Sequence, residues 1–289
     1  MGRISGIQGS PVSASLQLLE LSEKDFLCFS RLVYEQAGIN LHQGKKELLR
    51  ARLAKRIREL GFESFSQYYE HLVSDGSGEE ILHMLDCIAT NLTRFFREEA
   101  HFQFLAETVY PEFQEALKKG SQAPFFRVWS AACSTGEEPY SIAMHVSSYL
   151  GWDYQVLATD ISTKALGKAQ KGVYPLSRLS EVPSWMFRSF FLKGHGPREG
   201  YVRLKPEIRS RVSFQRHNLM DPPPFQEKMD VVFCRNVLIY FDRATQKKVV
   251  ESISRVLKPG GYLLVGHAES LNGAVPQLRY VRPAVYRKP

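Results

Sequence analysis

The chain has no apolar run approaching the ~18 consecutive residues of a membrane-spanning helix. It also lacks a cysteine pair. Cys28, Cys87, Cys133 and Cys234 are scattered and form no C-x-x-C unit, which argues against a zinc site and points to a reduced, cytoplasmic protein without structural disulfides. Residues 1–15 are rich in Gly and Ser and lack the apolar centre of a signal sequence, so they read as a flexible lead-in. No internal repeat is present, and no His or Cys arrangement pairs a nucleophile with a base. His267, after Gly266 at an expected strand end, reads as structural. Acid is scarce in the middle of the chain: residues 161–217 hold twelve Lys and Arg against Glu181, Glu199 and Glu207, while the whole chain is only +8. Residues 45–60 carry seven basic residues against Glu47 and Glu59. Such patches imply an acidic partner: nucleic acid, anionic lipid or an acidic protein surface.

The most informative run present is Arg127-Val-Trp-Ser-Ala-Ala-Cys-Ser-Thr-Gly-Glu-Glu-Pro-Tyr-Ser-Ile-Ala-Met144. Val128 and Trp129 read as the end of a buried strand, residues 131–136 have only small side chains, and Glu137-Glu138-Pro139 opens a helix. Small residues at a strand-to-helix turn admit a ligand close to the backbone, and the first-turn N–H groups point at it. Val156-Leu-Ala-Thr-Asp160 then reads as a second strand ending in a carboxylate, at the spacing where an acid meets a ribose hydroxyl pair. G-x-G-x-x-G is missing, with only Gly136 present, and two carboxylates at the helix mouth repel pyrophosphate. S-adenosylmethionine fits such a mouth: it is cationic and carries no phosphate. Taken alone, the run also matches an ordinary strand-turn-helix with an acidic cap.

Residues 16–90 read as a helical domain and 91–124 as a linker with a leading helix. Residues 125–289 read as an α/β domain with a β insertion at about 172–211. Ser22-Glu-Lys-Asp25 resembles a capping box. Leu49, Leu53, Ile57 and Leu60 form a helical stripe that Gly61 ends, with Lys45, Arg52, Lys55 and Arg56 on one flank. Phe65, Tyr68, Tyr69 and Leu72 suggest another helix, Asp75-Gly-Ser-Gly78 a loop, and residues 81–92 a further amphipathic helix. Strands are expected at 126–130, 155–159, 212–216, 229–234, 262–266 and, as a final strand, 281–287; their alternation with helices predicts a mostly parallel sheet. Lys258-Pro-Gly-Gly261 reads as a helix stop feeding a strand. Asp221-Pro-Pro-Pro-Phe225 is similar to a signature of amino-methylating nucleic-acid enzymes, but it precedes the 229–234 strand instead of following it and reads as a loop.

Six stretches together resemble the CheR family, the S-adenosylmethionine-dependent glutamate methyltransferases of bacterial chemotaxis. They are Asn91-Leu-Thr-Arg-Phe-Phe-Arg-Glu98, the 131–142 loop, Ala158-Thr-Asp-Ile161, Asn218-Leu219, Phe233-Cys-Arg-Asn-Val-Leu-Ile-Tyr-Phe241 and Leu257-Lys-Pro-Gly-Gly-Tyr-Leu-Leu-Val-Gly-His-Ala-Glu-Ser270. The resemblance runs from about residue 20 to the end. It implies a Rossmann-like methyltransferase sheet with an N-terminal all-helical domain and a small antiparallel β insertion. It further implies linker contacts to the cofactor from Asn91, Thr93 and Arg97, and a meeting of Glu137 or Glu138 with its charged end. Asp160 would hold the ribose and Asn218-Leu219 the adenine edge, with Arg235-Asn236 beside the sulfonium. Arg97 and Tyr240 are the catalytic candidates, set to orient the methyl acceptor, and no metal is implied.

The implied substrate is a receptor glutamate in an acidic helical bundle, docked on Arg52, Lys55 and Arg56. A receptor tail peptide could add to the insertion, whose Gly194-x-Gly196-x-x-x-Gly200 turn is similar to that of tail-binding members. The expected protein is a monomer recruited to receptor arrays at the inner membrane. Two other classes share some of these features: a methyltransferase acting on RNA, DNA or a small molecule, and a non-catalytic receptor-binding scaffold that senses the cofactor. No recognisable nucleic-acid motif or aromatic stacking platform supports the first.

Overall fold

The computed structural model describes residues 19–121, 123–149, 151, 153–271 and 275–289; the expected lead-in, residues 1–15, lies outside them. The helical part opens with α1 (Glu23–Ala37), capped by the Ser22 hydroxyl, which accepts from the Asp25 N–H at 3.0 Å. The Asp25 carboxylate meets the Ser22 hydroxyl at 2.6 Å. Gly38, left-handed at φ 69, ends the helix. Three more helices follow: α2 (Lys46–Glu59), α3 (Phe65–Ser74) and α4 (Glu79–Ile88). Phe29, Leu53, Ile57, Phe65, Tyr68 and Leu72 are fully buried between them. Leu60, expected to continue the α2 stripe, lies one residue past the helix and is 37% exposed. The helix expected over 81–92 ends at Ile88, whose carbonyl is taken by the Arg52 guanidinium. Residues 89–94 are non-helical and lead over the sheet.

After the linker, α5 (Glu99–Phe104) passes through a π turn at Leu105–Val109 into α6 (Tyr110–Lys118). Pro111, which has no N–H to close the regular ladder, sits just beyond the turn. The chain then alternates: β1 (Phe125–Ala131), α7 (Glu137–Tyr149), β2 (Asp153–Asp160) and α8 (Thr163–Lys171). The insertion contributes β3 (Val173–Pro175), α9 (Ser184–Phe190), β4 (Phe191–Lys193) and β5 (Tyr201–Leu204), whose strands form a separate antiparallel sheet in the order β3-β5-β4. A short α10 (Pro206–Arg209) leads to β6 (Val212–Arg216), β7 (Met229–Cys234), α11 (Arg243–Val256) and β8 (Leu257–Val265).

The final strand expected over 281–287 is instead a hairpin, β9 (Arg279–Arg282) and β10 (Val285–Arg287). Between them Pro283 can donate nothing to a ladder and Ala284 is left-handed at φ 63, so the chain reverses there. β8 also starts earlier than expected. Leu257 already pairs with Met229, and Lys258-Pro-Gly-Gly261 falls in a register shift before Tyr262 meets Val231.

The main sheet runs β6-β2-β1-β7-β8-β10-β9, its first five strands parallel and the hairpin antiparallel. Val128 sits level with Val156 on one side and Val231 on the other, and β7 is buried along its whole length, as a central parallel strand should be. The chain winds from β1 outward to β2 and β6, then returns to β7 on the opposite side of β1. That reversal separates the loops leaving β1 and β7 and opens a crevice over the carboxyl ends of the strands.

Candidate active site

The loop leaving β1 is a tight spiral. Ala132, Ser134 and Gly136 are all left-handed, at φ 64, 50 and 96. A Cβ on Gly136 would come within 2.8 Å of both Ala169 Cβ and Tyr174 Oη, so only glycine fits there. The spiral turns the Ser134 N–H onto Asp160 Oδ2 at 2.7 Å, while the Ser162 N–H donates to Oδ1 at 2.8 Å. Asp160 thus stands buried at the end of β2. Burial pushes its carboxyl above the ordinary value, and the two backbone donors pull against that shift.

Neighbouring residues on a helix point about 100° apart, and this separates the acidic doublet of α7. Glu138 lines the crevice, accepting from Ser130 Oγ and from Arg235 Nε, both at 2.7 Å. Glu137 turns aside to the Thr135 hydroxyl at 2.6 Å, and burial raises its carboxyl. Arg235, just past β7, is the buried hub of the wall. Its Nη1 donates to the Arg97 carbonyl at 2.6 Å, lies 3.0 Å from His101 Nδ1 and 3.5 Å from Glu98 Oε2. Burial first, and then the Arg235 charge, holds the His101 pKa down at about 3, so the ring is neutral and can accept from the guanidinium.

Asn236 is left-handed at φ 58 and donates through Nδ2 to Glu98 at 3.2 Å. Its backbone N–H, together with those of Gly266 and Ile239, is gathered by the buried Glu269 carboxylate at 2.9, 2.6 and 3.2 Å.

The crevice encloses about 880 Å³ including its open mouth. It brings together Asn91, Thr93, Arg97, Glu138, Asp160, Asn218, Leu219, Arg235, Asn236 and Tyr240. Of the expected cofactor and catalytic residues, Glu137 alone stands outside the lining. Asn91 accepts from the Ser134 hydroxyl at 3.2 Å, and Arg97 donates to the Leu92 carbonyl at 3.1 Å, which folds the linker over the opening.

The expected docking residues lie elsewhere. Arg52 is held by Ile88 O and Thr90 Oγ1, and Arg56 Nε pairs with the buried Glu80 at 2.9 Å. Lys55 projects outward, 81% exposed, 3.6 Å from Glu59. Gly194, Gly196 and Gly200 shape the turn between β4 and β5; a Cβ on Gly194 would overlap the Arg198 carbonyl, and the other two are left-handed.

Sequence reasoning missed Ala37 and Ile39 of the helical part, together with His217, Val237 and Phe241, all of which line the crevice. Ser134 could have been found, since it lies in the small-residue loop. Nothing local marks Ala37 or Ile39, because the loops they face are some 180 to 200 residues away.

The donor set suits a cationic nucleoside. Carboxylates at Asp160 and Glu138 share the walls with apolar Ala37, Ile39, Leu219, Val237 and Phe241, and the acidic helix mouth at Glu137-Glu138 discourages phosphate. Fold and crevice together define a Rossmann-like methyltransferase that binds S-adenosylmethionine. The model for the CheR methyltransferase SAM binding domain matches residues 91–286, and that for the CheR methyltransferase all-alpha domain matches residues 24–89. The chain belongs to the CheR methyltransferase family. It is 38% identical to the chemotaxis protein methyltransferase of Salmonella typhimurium, over 96% of this chain and 95% of that one. The Escherichia coli K12 protein of the same description is 38% identical over 93% of each chain. That of Klebsiella aerogenes is 40% identical over 91% of this chain and 89% of the other.

Proposed function

We propose that the protein transfers a methyl group from S-adenosylmethionine to glutamate side-chain carboxylates of chemoreceptors, giving glutamyl methyl esters for sensory adaptation. The observation that carries this reading is the crevice itself: a chain of this family with Asp160, Glu138 and Arg235 converging over the strand ends. Bound S-adenosylmethionine would supply an electrophilic methyl on a sulfonium. Each Asp160 oxygen already accepts one backbone N–H, and its remaining lone pairs suit a ribose hydroxyl pair. Asn218 and Leu219 border the adenine end, and Glu138 meets the cationic amino-acid end with Arg235 and Asn236 beside it. Asn91, Thr93 and Arg97 close the linker over the crevice.

Arg97 and Tyr240 orient the acceptor. A free glutamate titrates near ~4.3 and is already ionised at neutral pH, so its carboxylate attacks without a general base. In-line positioning and exclusion of water do the work. The orienting cation must not hold the acceptor's charge too tightly, since that charge disappears in the transition state.

The acidic receptor bundle would meet the basic side of α2, where Lys55, of the three expected docking residues, is the exposed one. A receptor tail could add as a strand beside the insertion sheet, bringing substrate to the ~mM range locally and recruiting a monomeric enzyme to receptor arrays at the inner membrane. The test is transfer of labelled methyl to receptor-containing membranes. Label on receptor glutamates that mild alkali releases supports the proposal. Alkali-stable label, found only on nucleic acid, would sink it.

A further inference from the structure

The end of α1 belongs to the helical part of the chain, yet it grips the sheet part at several points. The Tyr34 hydroxyl donates to Asp242 Oδ2 at 2.8 Å, on the residue that caps α11. The Gln36 carbonyl accepts from Asn218 Nδ2 at 2.7 Å. The Asn40 N–H donates to the Tyr240 carbonyl at 2.8 Å, and Ile39 forms an antiparallel bridge with Phe241. Between these contacts Gly38 is left-handed, and a Cβ there would lie 2.5 Å from Met220 Sδ and 2.9 Å from Thr245 Cγ2. The backbone is therefore pressed against Met220 and Thr245 at Gly38, where a side chain would displace both and would also be strained by the left-handed conformation. Ala37 and Ile39 reach the crevice itself.

These contacts fall on two loops that matter to the proposed reaction. Asn218 borders the adenine end and Tyr240 the methyl end, so one short segment braces both. We propose that residues 34–40 are a positioning segment for the cofactor crevice, so that docking of the helical part and binding of S-adenosylmethionine form one coupled equilibrium. This inference rests on the methyltransferase reading. A ligand that prefers the docked form strengthens docking, and anything that weakens docking lowers apparent affinity by the fraction still competent. The helical part then acts on the cofactor as well as on the receptor.

The experiment is isothermal titration of the full-length protein with S-adenosylhomocysteine, alongside thermal unfolding with and without that ligand. Wild type is compared with Gly38→Ala, Tyr34→Phe and the control Leu27→Ser, which changes an exposed α1 residue. Gly38→Ala is expected to bind at least tenfold more weakly and Tyr34→Phe several-fold more weakly. Both should gain less melting temperature from the ligand, and the control should match wild type. A purely structural role would lower the melting temperature and leave affinity unchanged, which overturns the inference. If Gly38→Ala does not fold, Tyr34→Phe decides, since it removes one hydroxyl; unchanged affinity there is likewise fatal. Failure of wild type to bind would overturn the methyltransferase reading itself, whereas equal binding by wild type and both variants overturns only the coupling.

Discussion

At the scale of single residues the acidic doublet is decisive. Glu137 and Glu138 are indistinguishable in the sequence, because both sit in the first turn of α7 behind the same small-residue loop. Only the helix phase, set by packing against β2 and β6, puts Glu138 on Ser130 and Arg235 and turns Glu137 to Thr135. Glu138→Gln should therefore weaken S-adenosylhomocysteine binding about tenfold or more, while Glu137→Gln changes it little; equal losses would show that the phase argument is wrong. Arg235 has a larger effect on the fold. Its guanidinium is almost wholly buried between Glu138 and Glu98, and removing one partner of a buried pair strands the other charge at about 3–5 kcal/mol. Arg235→Ala should accordingly lower the urea midpoint sharply even with no ligand present. A midpoint near wild type would mean that water replaces the guanidinium without loss.

At the scale of elements, helix α2 shows why charge counting alone misleads. Its basic flank is evident in the sequence, but the partners are not. Arg52 caps the end of α4, and Arg56 is tied to Glu80, which also accepts the Tyr68 hydroxyl at 2.7 Å. The Arg56 pair draws two charges and a buried phenol into one network, so Arg56→Ala should cost on the order of 2–3 kcal/mol of stability. Lys55→Glu should cost only a few tenths of a kcal/mol of stability, from repulsion with Glu59 on the same helix face, and slow receptor methylation, most visibly at low salt, where an exposed charge is least screened. Methylation unaffected by Lys55→Glu at low ionic strength would remove α2 from the docking surface.

The strands β6 and β7 were legible to the residue, because Val212 and Phe214 alternate with polar residues in the first and Val231, Val232 and Phe233 form an apolar run in the second. The β9–β10 reversal was not. Val281 and Val285 read as one apolar strand until Pro283 and the left-handed Ala284 are placed between them.

At the scale of the whole molecule, the motifs disclosed a methyltransferase sheet, but not how the helical part closes on it. Tyr34, Gln36 and Asn40 meet partners some 180 to 210 residues away, a separation at which no local pattern carries information. The seam between α5–α6 and the sheet was equally hidden, and it contributes to the response to acid. His101 and His145 are both buried there. Burial holds the His145 pKa at about 4 beside the Tyr110 hydroxyl, and burial with Arg235 holds His101 at about 3. Both values are depressed from 6.5, so below that pH the unfolded chain takes up protons that the folded chain refuses. Their contribution to stability is therefore fully present above pH 6.5 and is lost as pH drops towards 4, by on the order of a kcal/mol per pH unit for each histidine.

Three buried carboxyls oppose this trend. Glu137, Asp160 and Glu269 are raised by burial, so the folded state gains protons first and recovers stability as they protonate. The raw slope mixes the two signs, and the informative quantity is the difference between wild type and His145→Gln, which can still accept from Tyr110. Urea unfolding at pH 7, 6 and 5 should show the variant losing less stability than wild type, by on the order of a kcal/mol per unit below pH 6.5. Parallel curves would mean that His145 titrates alike in the folded and unfolded chain and that its burial does not contribute to the acid response.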